Sequence, residues 1–195
     1  GDILSRKAIR LGLHFVEGLA ENDINRILAR RGPQGYTSIR ELWLRTGVPI
    51  ASLEKLARAD AFASMGLNRR EALWAVKGLV GTHGAETLPL FAAAGSPIDT
   101  EAEAPAGLPM MGPGEEVIHD YRSLSISLKA HPMSFLRENL AARRVTVADN
   151  LRTAEPGRRV NVAGLVLVRQ RPGTASGVIF ATLEDETGVV NIIVW

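Results

Sequence analysis

The sequence predicts a multidomain α + β protein in which a helical N-terminal part is joined by a linker to the opening meander of a small β-barrel. Three observations carry this. Apolar residues recur at helical spacing between residues 24 and 79. Residues 81–118 hold five prolines, six glycines and no Lys or Arg. Three β-rich runs separated by Gly-containing turns fill Arg159 to Trp195. The boundaries read as 1–80 for the helical domain, 81–118 for an acidic Pro/Gly-rich linker, and 119–195 for connecting helices followed by the β domain.

The first helix places Ile24, Ile27 and Leu28 at helical spacing with Arg26, Arg30 and Arg31 interleaved, and Gly32-Pro33 stops it. Ser38-Ile39-Arg40-Glu41 is a capping box for the next, which carries Leu42 and Trp43 inward. A third begins after Pro49 and presents Ile50, Leu53, Leu56 and Ala57. Asn68-Arg69-Arg70-Glu71 has the N-cap pattern of a fourth, with Leu73, Trp74 and Leu79 expected inside and Gly78 near its end. In the last third, Val160, Val162, Leu165 and Leu167 form one strand, Val178 to Leu183 a second and Val189 to Trp195 a third. The first gap, Arg169 to Gly177, is long and basic. The second, Asp185-Glu186-Thr187-Gly188, is a tight hairpin with Gly188 expected at positive φ. Gly164 interrupts the first strand, where a bulge or bend is expected.

Composition narrows the function classes. An apolar content of 46% suits packed cores, and zero cysteines exclude disulfides and thiolate metal sites. Four scattered histidines lack the spacing of a zinc site. No apolar run approaches a membrane span, so no membrane partner and cytoplasmic residence are expected. Charge is blocked: 13 Lys and Arg face 8 Asp and Glu over residues 1–80, none faces 7 over 81–120, and 10 face 6 over 121–195. Two basic blocks flanking an acidic one suit a polyanionic partner, since each cation near a phosphate releases a counterion; ordinary solvated surface is the competing reading.

Two turns, Phe15-Val16-Glu17-Gly18-Leu19-Ala20 and Leu56-Ala57-Arg58-Ala59-Asp60-Ala61-Phe62, resemble helix-hairpin-helix hairpins, which hold a DNA backbone by main-chain amides. Gly18 permits close approach. The second hairpin glycine is replaced by Ala20 in one copy and Asp60 in the other. At the other end, V-x-V-A-G-L-V, a basic loop and F-A-T-L-E-D-E-T-G resemble the OB-fold module near the C-terminus of bacterial DNA polymerases of the polymerase III α-subunit type, and are similar to the anticodon-binding OB modules of some aminoacyl-tRNA synthetases. An OB barrel has five strands and three are read here, so an incomplete barrel at the end of a fragment is expected.

The order of parts is more specific than any one of them. L-G-L-H-F-V-E-G-L, then L-A-R-A-D-A-F-A-S-M-G-L-N-R-R-E-A-L, an acidic linker with L-P-L-F, His131-Pro132 and the OB strands together resemble the C-terminal half of α-type bacterial polymerases, and the wording looks most like their error-prone, damage-tolerance branch. The resemblance implies a magnesium-dependent DNA-directed DNA polymerase as parent, active in translesion synthesis and DNA repair, with its active site upstream of Gly1. No catalytic residue and no cofactor or metal is expected in this segment. Nucleotidyl transfer needs carboxylates around two metal ions, and Glu184-Asp185-Glu186 lies in a turn that points them apart. His131, before Pro132, reads as a local structural residue.

The resemblance also nominates contacts. Alternation puts Ile179, Ala181 and Leu183 on one face of the second strand and Phe180 on the other, where anticodon-binding relatives place a base-stacking aromatic; Arg169 and Arg171 would hold the phosphates beside it. With Gly18, Arg26, Arg30 and Arg31, these are the candidate nucleic-acid contacts, for duplex DNA at the hairpins and single-stranded template at the barrel. Thr87-Leu88-Pro89-Leu90-Phe91 resembles the peptide with which such polymerases dock on the sliding clamp, with Leu88, Leu90 and Phe91 as anchors and Thr87 in place of the usual Gln. Two alternatives stay open: a recruitment module for the clamp or other translesion-synthesis proteins, and an RNA-binding OB module of the synthetase type.

Overall fold

A computed structural model describes residues 11–82, 107–173 and 177–195 of the 195-residue chain. Their contacts divide them between Ile126 and Ser127 into two units. The first holds helices α1 (Glu21–Ala29), α2 (Ile39–Thr46), α3 (Ile50–Arg58), α4 (Arg69–Thr82) and α5 (Pro113–Leu124). The second holds a short helix α6 (Arg137–Ala142) and strands β1 (Leu165–Gln170), β2 (Ile179–Asp185) and β3 (Gly188–Val194).

Local chemistry explains the helix ends. Ser38 Oγ accepts the Glu41 amide at 3.0 Å, while the Glu41 carboxylate turns back to the Thr37 amide and hydroxyl at 2.7 and 2.6 Å. These bonds, with the ion pair to Arg45, bring the Glu41 carboxyl down to about 2. Asn68 and Glu71 cap α4 reciprocally, Asn68 Oδ1 accepting from the Glu71 amide at 3.0 Å and Glu71 Oε2 from the Asn68 amide at 2.9 Å. Ile27, Leu42, Trp43, Leu53, Leu56, Phe62, Val76 and Leu79 form one core. One expectation fails at its margin: Trp74 is about half exposed, at 49%. On α4 the inward positions are Arg69, Ala72, Val76 and Leu79, and Trp74, two residues on from Ala72, turns to the far side.

The contact division moves one boundary. Helix α5 straddles the 118/119 border drawn from the sequence, yet it packs with the first unit through a buried ion pair. The Arg69 side chain is fully buried; it donates to Asp120, and its other arm reaches the Glu116 carbonyl at 3.0 Å and carboxylate at 3.3 Å. Beside it, half-buried Arg70 donates through Nη2 to both carboxylate oxygens of Glu115 at 2.9 and 3.2 Å and through Nη1 to the Pro109 carbonyl at 2.7 Å.

In the second unit, β1, β2 and β3 form an antiparallel sheet in chain order that does not close, consistent with an incomplete OB-like fold. Regular pairing of β1 starts at Leu165, so Val160 and Val162 precede it. The irregularity expected at Gly164 falls between Val166 and Val168. Gly164 instead permits a close approach of two backbones. A Cβ there would stand 2.6 Å from the Glu184 carbonyl oxygen and 3.0 Å from its nitrogen, a space that only glycine leaves open. Gly188 takes the positive φ expected in the β2–β3 turn, 159°, but outside the left-handed helical region, so a left-handed glycine does not close that turn. Asp185 closes it instead, Oδ1 accepting from the Thr187 amide, the Thr187 hydroxyl and the Gly188 amide at 2.7, 2.7 and 3.1 Å.

Candidate nucleic-acid interface

The first hairpin is a turn between a 3₁₀ segment, Leu13–Phe15, and α1. Val16 is buried, anchoring the turn from inside, and the Leu19 amide closes on the Val16 carbonyl at 3.1 Å. Gly18 takes φ +68°, which glycine adopts at no steric cost, whereas Ala20 at φ −71° needs no glycine. Asp23, in the first turn of α1, is buried and accepts from Ser52 Oγ at 2.6 Å, pinning α1 to α3. The Glu17 amide is taken by the Ser123 carbonyl at 2.9 Å, so the C-terminal turn of α5 braces the hairpin from behind.

The amides of Gly18, Ala20, Glu21 and Asn22 meet no acceptor among the described residues, and all four residues are exposed, with half-buried Leu19 between them. A run of open amides at a helix start is an anion cradle. Lys55, reaching over from α3, donates to the Gly18 carbonyl and sets an ammonium at the lip of the turn. Sequence reading missed Lys55, because nothing local on α3 reports that its outer flank meets a turn 37 residues earlier. Glu17 and Glu21, both exposed, put negative charge at the same lip.

The arginines expected beside this hairpin have divided duties. Arg26 donates to the Gly47 carbonyl at 3.4 Å and Arg30 to the Arg45 carbonyl at 2.6 Å, so both serve the C-terminal end of α2. Arg31 is exposed and makes no such bond among the described residues. At the second hairpin, Asp60 holds φ +58° at the position where glycine was wanted. Its amide bonds to the Ala57 carbonyl and that of Ala61 to the Leu56 carbonyl, both at 3.1 Å, which closes α3 in the manner of a left-handed cap.

On the sheet, Ile179, Ala181 and Leu183 share a face with Ile192 and Val190, while Phe180 lies on the other face between Gln170 and Ile193 and is 38% exposed. Register separates the expected partners. Arg169 pairs with Ala181, on the face opposite Phe180, and Arg171 lies beyond the end of β1. The extra residue between Val166 and Val168 is the cause, since without it Arg169 would fall on the Phe180 face.

The acidic turn is a structural clasp. Asp185, 5% exposed, also accepts the Ala148 amide at 2.8 Å, and Arg137 grips both Asp185 and Glu186. Burial works against the charge on Asp185, but the Thr187 hydroxyl and the Ala148, Thr187 and Gly188 amides outweigh it and hold its carboxyl below the usual range. The bond from Arg137 lowers Glu186 despite burial. His131 Nδ1 accepts the Met133 amide at 3.1 Å, and its Nε2 stands 3.8 Å from Glu184. Among the described residues, no three His, Asp or Glu are grouped to hold a metal ion, and no helix is long and apolar enough to cross a membrane. Leu88, Leu90 and Phe91 lie outside the described residues.

This geometry defines a helix-hairpin-helix segment followed by an open three-stranded sheet, and residues 2–72 match the family described as helix-hairpin-helix motif. The relatives are more particular. The chain is 56% identical over 193 residues to Error-prone DNA polymerase 1 of Rhizobium meliloti (strain 1021), covering 99% of this chain and 17% of that protein. It is 54% identical, at the same coverage, to Error-prone DNA polymerase of Sinorhizobium medicae (strain WSM419). It is also 54% identical over 191 residues to that of Caulobacter vibrioides (strain ATCC 19089 / CIP 103742 / CB 15), covering 97% of this chain and 17% of the relative. Nearly the whole chain is thus homologous to a segment of proteins named error-prone DNA polymerase, and it spans 17% of the length of these relatives.

Proposed function

We propose that the chain is the DNA-binding, non-catalytic segment of an error-prone, translesion DNA polymerase, with magnesium serving the parent's nucleotidyl transfer elsewhere. One observation carries the reading: the open amides of Gly18, Ala20, Glu21 and Asn22 in a hairpin of the matched motif, with Lys55 at its lip. Main-chain amides recognise phosphate without reading bases, which suits an enzyme that must hold any template. Phe180, half-exposed on the open sheet, is the stacking platform for single-stranded template, its ring available to any base. The runner-up, recruitment through the sliding clamp or other translesion proteins, draws on Leu88, Leu90 and Phe91 and on the carboxylate that Asp60 puts in the second hairpin.

Fluorescence anisotropy of the 195-residue chain with labelled single-stranded and duplex oligonucleotides, titrated with salt, tests this. Binding that weakens linearly in log salt is expected, with the duplex arm reduced by Lys55→Ala and the single-strand arm by Phe180→Ala. Absence of binding to both at low salt would reject the reading and make capture of the clamp by the same chain the next experiment.

A further inference from the structure

We infer that Arg143, Arg144, Arg158 and Arg159 form a single phosphate-binding cluster, through which the second unit grips a nucleic-acid backbone. The ligand class rests on the DNA-binding reading above; the geometry stands on its own. Two arginine pairs that are distant in sequence are drawn together by a parallel bridge between Val145 and Asn161, in which the Thr146 amide donates to the Asn161 carbonyl at 2.8 Å. Paired segments lie about 4.8 Å apart. The residues just before each bridge partner are therefore near one another, Arg144 being one residue from Val145 and Arg159 two from Asn161. Those residues are Arg143-Arg144 on one segment and Arg158-Arg159, with Val160, on the other.

All four arginines are exposed, and none makes a side-chain hydrogen bond or ion pair among the described residues. The contrast with Arg137, held by two carboxylates in the same unit, is plain. Arg144 supplies a second, independent sign. It sits at φ +57° just past the end of α6, its amide bonded to the Ala141 carbonyl and that of Val145 to the Leu140 carbonyl, each at 2.9 Å. That is the left-handed cap position usually given to glycine, where a side chain strains the backbone. Backbone strain of this kind gathers at functional positions. Four guanidinium forks, with Val160 the one large exposed apolar side chain between residues 141 and 161, fit a chain of phosphates better than a protein partner, which needs an apolar anchor.

The test is anisotropy of the full chain with a labelled oligothymidylate, at several salt concentrations, for wild type and two variants. Replacing all four arginines by Gln is expected to lower affinity by roughly tenfold or more at moderate salt and to flatten the log–log salt slope by about 3, near 0.7 per lost contact. Arg144→Gly is the sharper variant: melting temperature kept or raised, because glycine suits the turn, with affinity down several-fold and the slope flattened by about 0.7. If wild type binds and both folded variants keep its affinity and slope, the cluster is overturned while the DNA-binding reading stands. If wild type fails to bind at low salt, both fall. If polyglutamate of equal charge competes as well as the oligothymidylate, an acidic protein is the partner and the phosphate assignment is overturned.

Discussion

Replacing Asp120 by Asn should detach α5 from the helix-hairpin-helix core, and the size of the loss follows from how Arg69 is held. The guanidinium is fully buried; one arm donates to Asp120, itself 5% exposed, and the other is shared by the carbonyl and carboxylate of Glu116, 20% exposed at the side chain. Removing one partner of a buried pair leaves a charge in low dielectric and costs about 3–5 kcal/mol. Glu116 remains at 3.3 Å, so the lower end, about 3 kcal/mol, is expected here. Arg70→Gln, one residue away, is the control: its pair with Glu115 is solvated, with side chains 31% and 45% exposed, and should be worth under about 1 kcal/mol. Urea unfolding followed by far-UV circular dichroism of wild type and both variants reads the difference. The double change Arg69→Met with Asp120→Leu should recover part of the loss, because the two most buried charges go together and only the Glu116 carboxylate, 20% exposed, is left without its partner. A loss from Asp120→Asn no greater than that from Arg70→Gln would refute the reasoning and make the pair incidental to the packing of α5.

Three further outcomes follow from the second unit. Asp185 and Glu186 have folded carboxyls below their ordinary values, so the stability they supply is present above about pH 4 and is lost as pH falls through their lowered folded values. Acid titration of the sheet amides by NMR should therefore show loss of β2–β3 structure on that limb, and Asp185→Asn should flatten it; a variant with the wild-type profile would sink the clasp. Gly164→Ala must push a methyl against the Glu184 backbone at 2.6 Å, and should cost about 1–3 kcal/mol and speed hydrogen exchange across β1–β2. Unchanged exchange would show that the close approach is dispensable. Phe180→Ala should weaken single-strand binding by roughly 1–3 kcal/mol per stacked base and leave the salt slope unchanged, since no charge is lost; a changed slope would mean that the ring acts through its neighbours.

What could be read from the sequence was what is local. The Ser38 and Asn68 caps, the inward set of α3 and the second and third strands all depend on residues within a few positions of each other. What could not be read depends on distance or on count. Nothing near Arg69 announces a partner 51 residues on, so a sequence NRRE shows its cap and hides its ion pair. Trp74 misled because an aromatic beside Leu73 invites burial, while the face of α4 is set by Ala72, Val76 and Leu79. Arg169 shows the limit of alternation: one extra residue between Val166 and Val168 moves it to the other face of the sheet, and a bulge of that kind has no reliable signal in the surrounding valines and leucines.

Charge is where this difference between local and distant matters most for function. Counted along the chain, the N-terminal block looks like the stronger polyanion surface, with 13 Lys and Arg over residues 1–80. Yet Arg69 and Arg70 are committed to α5, Arg45 to Glu41, and Arg26 and Arg30 to the carbonyls that end α2. A cation already paired releases few counterions when phosphate arrives, so it adds little to the salt slope. On the DNA-binding reading proposed above, the hairpin therefore depends on its amides, a contact of fixed geometry with modest charge, and Lys55, which already donates to the Gly18 carbonyl, adds little to the salt slope. The second unit keeps more of its arginines uncommitted, Arg143, Arg144, Arg158, Arg159, Arg169 and Arg171 among the described residues. Sequence-independent affinity should accordingly come mainly from the second unit and register on the duplex from the first. That division is visible in one comparison: neutralising the second unit's arginines should flatten the salt slope, whereas Gly18→Val should reduce duplex affinity at every salt concentration by the same factor.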